Sequence, residues 1–223
     1  MNLSVASRSL ELIADGCSFL EGPRWHRGAL FVSDFYTHEV LRFDSDGRHV
    51  VCEVAAQPSG LGFAPDGRLL IVSMLDRRLL RLDDGSLTEV ASFAELAPGP
   101  ANDMVVDAAG RAYIGNFGSP PGADLAFASL IRVDPDGTAR VAASQLGFPN
   151  GAVLTPDGRT LLIAETFVGR ISAFEVDGNG GLGAAVRGHS SARLRTTSTR
   201  TGQRGNSNCF PTAWSSTRRG CSG

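Results

Sequence analysis

The chain has 223 residues, 42% of them apolar and 20% charged, with a formal net charge of −2. That is enough chain to bury a core, and the balance excludes both a disordered polyanion and a basic nucleic-acid binder. Four scattered cysteines (Cys17, Cys52, Cys209, Cys221) form no C-x-x-C pair, which argues against a zinc cage or a disulfide framework. No apolar run approaches the roughly 20 residues of a membrane span, and Met1 to Arg8 lacks the apolar stretch of a secretory leader. The expectation is a soluble cytoplasmic protein with neither a membrane nor a nucleic acid as partner.

The averages hide a seam. All 21 basic residues are arginines, and every acidic residue precedes Ala185. Residues 1–184 therefore carry −9 and residues 185–223 carry +7. Ser, Thr, Arg and Gly fill 25 of the last 39 positions, too little apolar surface to offset ordering costs of about 1–2 kcal/mol per residue. The expected organisation is a folded body, 1–184, and a tail, 185–223, that does not fold.

Taken in chain order, the body repeats one unit. Glu21–Trp25 and Ala29–Asp34 read as two short apolar strands about Gly28. Ser59–Phe63 and Leu69–Ser73 flank Pro65-Asp66-Gly67; Asn102–Asp107 and Ala112–Asn116 flank Gly110; Asn150–Leu154 and Leu161–Glu165 flank Pro156-Asp157-Gly158. The leading residue stands eight positions before the turn glycine in three copies and seven before it in the first. Asp-Gly suggests type I′ hairpins, whose two central residues both need positive φ. A third, alternating strand follows in each copy: Glu39–Phe43, Arg78–Leu82, Ser129–Val133 and Arg170–Phe174. Val50–Cys52, Leu87–Val90 and Ala139–Ala142 supply a fourth. Apart from a possible turn at Phe93–Leu96, no helical period appears.

Leading positions at 21, 59, 102 and 150 give spacings of 38, 43 and 48 residues, the size of a β-propeller blade. The fold class predicted is all-β, with a stacked antiparallel sandwich as the less register-faithful competitor. In a propeller, Glu21, Ser59, Asn102 and Asn150 would converge at one mouth of the central channel. A carboxylate and two carboxamides there are hard oxygen donors suited to Ca²⁺ or Mg²⁺, and able to hold Mn²⁺ or Zn²⁺. The plainer reading is that each Asn caps a turn.

The motifs Leu20-Glu21-Gly22-Pro23-Arg24-Trp25, Asn102-Asp103 and Phe148-Pro149-Asn150-Gly151, the last followed by Pro156-Asp157-Gly158, resemble the senescence-marker-protein, gluconolactonase and luciferin-regenerating-enzyme family over Leu20 to Leu182. The resemblance implies a six-bladed propeller, of which this chain holds about four blades. It also implies one divalent cation, Ca²⁺ first among the candidates, and hydrolysis of a small-molecule lactone. Glu21 and Asn150 match two of the family's three direct metal ligands. Asn102 matches a residue beside the metal, outer or water-mediated, that holds substrate. Sugar-lactone members carry an arginine two positions before that Asn, where this chain has Pro100.

The family's remaining ligand and implied general base is an aspartate in a later Pro-Asp-Gly, yet no acidic residue follows Asp177. Read one base earlier, degenerate codons for Phe210 to Gly220 permit Pro-Asp-Gly with the eight-residue spacing, and Thr212 occupies the aspartate's place. A frameshift near Ala185 is the expectation, with a natural arginine-rich tail for an anionic partner as the alternative. The function expected is metal-dependent lactone hydrolysis impaired by that loss. A non-catalytic metal- or ligand-binding propeller fragment is the competing class, and a phosphotriesterase or strictosidine-synthase-like propeller the enzymatic variant.

Other signals are weaker. Asp44-Ser45-Asp46-Gly47 and Asp134-Pro135-Asp136-Gly137 are half calcium loops that read better as turns. His26, His38, His49 and His189 lack metal-site spacing, and no G-x-S-x-G elbow or phosphate loop occurs. Asp34, Asn116 and Glu165 share the end of the second strand, where capping is favoured over lining the channel.

Overall fold

A computed structural model describes residues 12–187. Sixteen strands build four four-stranded antiparallel sheets, each a simple up-and-down meander. The first contains β1 (Leu20–His26), β2 (Ala29–Asp34), β3 (Glu39–Asp44) and β4 (Gly47–Glu53). The second contains β5 (Pro58–Phe63), β6 (Leu69–Ser73), β7 (Arg78–Asp83) and β8 (Ser86–Ser92). The third contains β9 (Ala101–Val106), β10 (Ala112–Asn116), β11 (Ala128–Val133) and β12 (Ala139–Leu146). The fourth contains β13 (Pro149–Leu154), β14 (Thr160–Glu165), β15 (Arg170–Glu175) and the two-residue β16 (Val186–Arg187). β16 lies just past the expected 184/185 seam. The expected tail, the frameshifted register, Thr212, His189, Cys209 and Cys221 all lie outside the described residues.

The sheets are propeller blades. Their first strands meet in sequence, β1 against β5, β5 against β9 and β9 against β13. Three cores lie between successive blades. Leu61, Leu69, Ile71 and Val40 fill the first, and Leu70, Val72, Met104 and Ile114 the second. Tyr113, Leu130, Leu161, Ile163 and Phe174 fill the third. Leu69-Leu70-Ile71-Val72 thus feeds alternate side chains into two cores, which is why the strand is an unbroken apolar run rather than an alternating one. The only helical piece among the described residues is a single 3₁₀ turn, Thr166–Val168; Phe93–Ala97 is a hydrogen-bonded turn. No helix there is long and apolar enough to cross a membrane.

The hairpin chemistry differs from the type I′ expectation. Both central residues take positive φ only at Arg27-Gly28 and Asp84-Gly85. In the Pro-Asp-Gly turns the glycine alone does so, at 87° in Gly67 and 69° in Gly158. The Gly67 amide donates to the Ala64 carbonyl, and the Ala64 amide to that of Arg68. This is a type I turn closed by a left-handed glycine, the longer hairpin connection. Both half calcium loops are turns: Asp44 Oδ1 accepts from the Asp46 amide in a two-residue connection, and Asp136 Oδ1 from Thr138 in a glycine-closed turn like that of Gly67.

Candidate functional site

The first strand of every blade carries a β-bulge near its start. Between Glu21/Ser33 and Arg24/Phe31 the pairing gains a residue. The same shift occurs between Pro58 and Leu61, Ala101 and Met104, and Pro149 and Ala152. Bulges re-aim side chains. In the last three blades the bulge opens at Ser59, Asn102 and Asn150, three of the residues picked out by spacing.

Those three side chains meet. Ser33 Oγ donates to the Ser59 carbonyl at 2.6 Å, and Ser59 Oγ to Asn102 Oδ1 at 3.0 Å. Asn102 Nδ2 donates to Asn150 Oδ1 at 3.0 Å, and Asn150 Nδ2 to Thr166 Oγ1 at 3.3 Å. One directional side-chain series therefore runs from Ser59 to Thr166, each donor polarising the next, and Ser33 ties the first blade to its start through the Ser59 backbone. Ser33, Ser59 and Asn102 are buried, Asn150 is half-buried and Thr166 is exposed, so the row opens toward the fourth blade. Ser33 and Thr166 were not foreseen. Spacing from the first strand could not find them, because both sit at or just past the ends of second strands.

Glu21 belongs to the neighbourhood but not to the series. In the first blade the bulge falls on Gly22 and Pro23, so Gly22 holds the register of Ser59, Asn102 and Asn150, and Glu21 stands one residue earlier. The close approach explains the glycine: a Cβ on Gly22 would lie 2.8 Å from the Ser59 carbonyl oxygen. Glu21 is half-buried. Burial, and then the charge of Asp103, push its carboxyl above the usual range, opposed by a hydrogen bond from the Gly22 amide. Arg24 is committed to the third blade. It donates to Asp103 Oδ1 at 2.8 Å and also to the Met104 carbonyl, tying the first blade to the third beneath β5. Burial likewise pushes Asp103 upward, against the pull of Arg24.

This arrangement fits a hard cation. The two carboxamide oxygens each use one lone pair in the series and keep a second, and the Glu21 carboxylate stands one residue before Gly22, which abuts the Ser59 carbonyl. Among the described residues no group of three or more His, Cys, Asp or Glu side chains is placed to hold a metal.

Asp34, Asn116 and Glu165 act as caps. Asp34 accepts from the Ser18 and Phe19 amides, Asn116 Oδ1 from Gly118, and Glu165 from Gly147 as well as from Arg170 and Ser172. Each fixes a loop at the end of its blade that carries the row. The histidines lie apart from it: His26 stacks on Phe63 with ring centroids 3.7 Å apart, and His38 Nδ1 meets the Ala55 carbonyl at 3.0 Å. A cavity of about 640 Å³ lies by the turns at the opposite end of the first two blades and does not touch the row.

A smaller cavity is lined by close chain neighbours of the row, Pro100 before Asn102 and Phe167 after Thr166. It holds about 210 Å³ and is walled by Pro100, Phe117, Pro120, Pro121, Leu125 and Phe167. Phe117 stacks on Phe148 at 4.0 Å, and Phe148 packs against Phe167 at 4.6 Å. This aromatic group was not anticipated, although Phe117 and Phe167 each closely follow the capping residue that ends a second strand.

Comparison with known proteins agrees with the propeller fold. A gluconolactonase from Xanthomonas campestris, described as important in glucose secondary metabolic pathways, is 28% identical with a TM-score of 0.67 over 79% of this chain and 64% of its own. The calcium-binding protein regucalcin from Agrobacterium tumefaciens is 22% identical, with a TM-score of 0.61 over 79% of this chain and 59% of its own. A luciferin-regenerating enzyme shares the fold at 17% identity, TM-score 0.64, over 77% and 60%. The chain thus spans less than two thirds of the length of these relatives. A family model described as the SMP-30/gluconolactonase/LRE-like region matches residues 19–195, so this four-bladed chain belongs to the SMP-30/gluconolactonase/LRE-like family.

Proposed function

We propose that the row is part of a divalent-metal lactonase site, and that in this chain the chemistry is impaired. Glu21 and Asn150 hold the cation, and Asn102, beside it in an outer or water-mediated place, orients the lactone. The observation that carries this reading is the Ser59–Asn102–Asn150 series at three equivalent bulges, with Glu21 one residue before the glycine that abuts Ser59. A bound Ca²⁺, Zn²⁺, Mg²⁺ or Mn²⁺ would polarise the lactone carbonyl and stabilise the oxyanion formed there.

The protein's own contribution is positioning. Ser59 and Asn102 each fix the carboxamide of the next blade, so neither Asn102 Oδ1 nor Asn150 Oδ1 has to reorganise to meet a ligand. Asp103 is held by Arg24 and by the Met104 amide, which keeps it from swinging toward substrate. What is short is a general base. Acidic residues end at Asp177, and Thr212, at the family's aspartate position, has no carboxylate. A positioned base is worth about 10² to 10⁴ in rate, and turnover is expected to fall by that factor relative to a full-length relative.

Calorimetric titration of Ca²⁺ and Zn²⁺ into the full chain, with lactone hydrolysis followed in the same samples, tests both halves. The expected result is saturable binding weakened at least about tenfold in Glu21→Gln and Asn150→Ala, with slow, metal-dependent hydrolysis. Affinity unchanged by both substitutions would remove the metal assignment. Binding without any hydrolysis would favour a non-catalytic propeller, and turnover at a full-length relative's level would contradict the impairment.

A further inference from the structure

This smaller cavity is built mainly by the connection between the second and third strands of the third blade. The second and third strands are joined by four residues in the first, second and fourth blades (35–38, 74–77 and 166–169) but by eleven, 117–127, in the third. Long connections of this kind on a rigid scaffold commonly shape binding sites. This one is anchored along its first half. The Phe117 amide donates to the Pro100 carbonyl at 3.0 Å, the Gly118 amide to Asn116 Oδ1 at 3.0 Å, and the Ala123 amide to Pro120 at 3.1 Å. Its backbone also lies on Gly99, where a Cβ would come within 2.5 Å of the Ser119 carbonyl oxygen.

The walls are apolar and rigid: three prolines, two aromatic rings and Leu125, with Ser119 the polar side chain among them. They flank the row closely in the chain. Pro100 stands two residues before Asn102, and Phe167 directly follows Thr166, which accepts from Asn150. A dry cavity of about 150 Å³ takes a benzene molecule, so about 210 Å³ accommodates a phenyl group or a short alkyl chain. A polyhydroxylated ring substituent would find almost no partners there, and unpaired hydroxyls penalise binding.

We propose that this cavity is the subsite for an apolar substituent on the lactone ring, which makes the preferred substrate class an aryl- or alkyl-substituted lactone rather than a sugar lactone. The proposal rests on the reading that a lactone is held at the Asn102–Asn150 row. The loop supplies the specificity wall, with Leu125 at its open edge, 48% exposed.

The test is a binding measurement, by calorimetry and saturation-transfer NMR, on the full chain with γ-phenyl-γ-butyrolactone and with D-glucono-δ-lactone, each with and without Ca²⁺. The phenyl lactone is expected to bind at least about tenfold more tightly, the scale on which apolar pockets discriminate. Leu125→Asp, at an exposed loop position, should weaken it about tenfold while leaving the circular dichroism spectrum and the Ca²⁺ titration unchanged. Equal affinities, a preference for gluconolactone, no binding of the phenyl lactone, or indifference to Leu125→Asp would each overturn the subsite. Phenyl-lactone binding that responds to Leu125→Asp in a protein that takes up no Ca²⁺ would leave the subsite standing and remove the metal reading alone.

Discussion

Glu165 shows how a single residue holds a blade together. Its side chain is buried and accepts from both Arg170 nitrogens at 2.7 Å, from Ser172 Oγ and from the Gly147 amide at 2.7 Å. Burial works against its charged form, but those donors outweigh burial and hold the carboxyl below the usual range. A depressed folded value contributes stability above the unfolded pKa of about 4.3, and that contribution is lost as pH falls through the folded value. Glu165→Gln leaves the mostly buried Arg170 without its partner and should cost about 3 kcal/mol at pH 7. Urea titrations across pH should show the gap between the two proteins closing below about pH 4. A gap independent of pH would mean that the carboxylate's charge contributes nothing. The capping register of Asp34, Asn116 and Glu165 was legible because all three end a second strand. Their partners were not, because the Gly147 and Ser18 amides come from loops whose path no periodicity records.

At the scale of the element, the first three strands of each blade were legible to within one residue, since each alternates or runs apolar between Gly-marked turns, whereas the outer fourth strands were read short and β16 was not read. The bulges were not. A bulge adds one residue without altering composition, and here it decides which side chains face the row. Glu21 was for that reason read in register with Ser59, Asn102 and Asn150 although Gly22 holds that place, and the first copy's shorter spacing comes from its two-residue turn, Arg27-Gly28, where the second and third blades have five residues. The eleven-residue loop escaped for a related reason: it lengthened the third repeat to 48 residues without disturbing the strands on either side. The bulge glycines give a direct check. A Cβ on Gly60 would lie 2.5 Å from the Met104 amide nitrogen and 2.8 Å from Asp103 backbone atoms, and neither can retreat without breaking the inter-blade contact. Gly60→Ala should therefore cost about 1–3 kcal/mol, the usual range for overpacking. Gly178→Ala, with open space around the added carbon, should fall within about 0.5 kcal/mol of the parent. Equal denaturant midpoints for the two would show that the blades are not seated as tightly as those distances require.

At the scale of the whole molecule, the arc has two unlike ends. Residues Ala14 and Cys17 pack onto the first blade beside Val32, Leu41 and Phe43. The fourth blade has one face in the core it shares with the third and another that is open. Cross-strand partners share a face, and the pairs Val153–Leu162, Leu162–Ala173, Ala164–Ile171 and Ala173–Val186 make that open face continuous and apolar. Val153 is 57% exposed, Ile171 59% and Val186 74%. Sequence alone could not tell this blade from an interior one, since both need two apolar faces and only the neighbour's presence differs. Such a surface favours association, so the isolated chain should self-associate through the fourth blade. Val153→Lys with Ile171→Lys places two like charges on the open face without touching the core and should shift sedimentation toward monomer with little change in stability. If the double variant associates as strongly as the parent, the open face is covered in solution by another part of the same chain, and the exposed apolar ladder is not the contact that brings copies together.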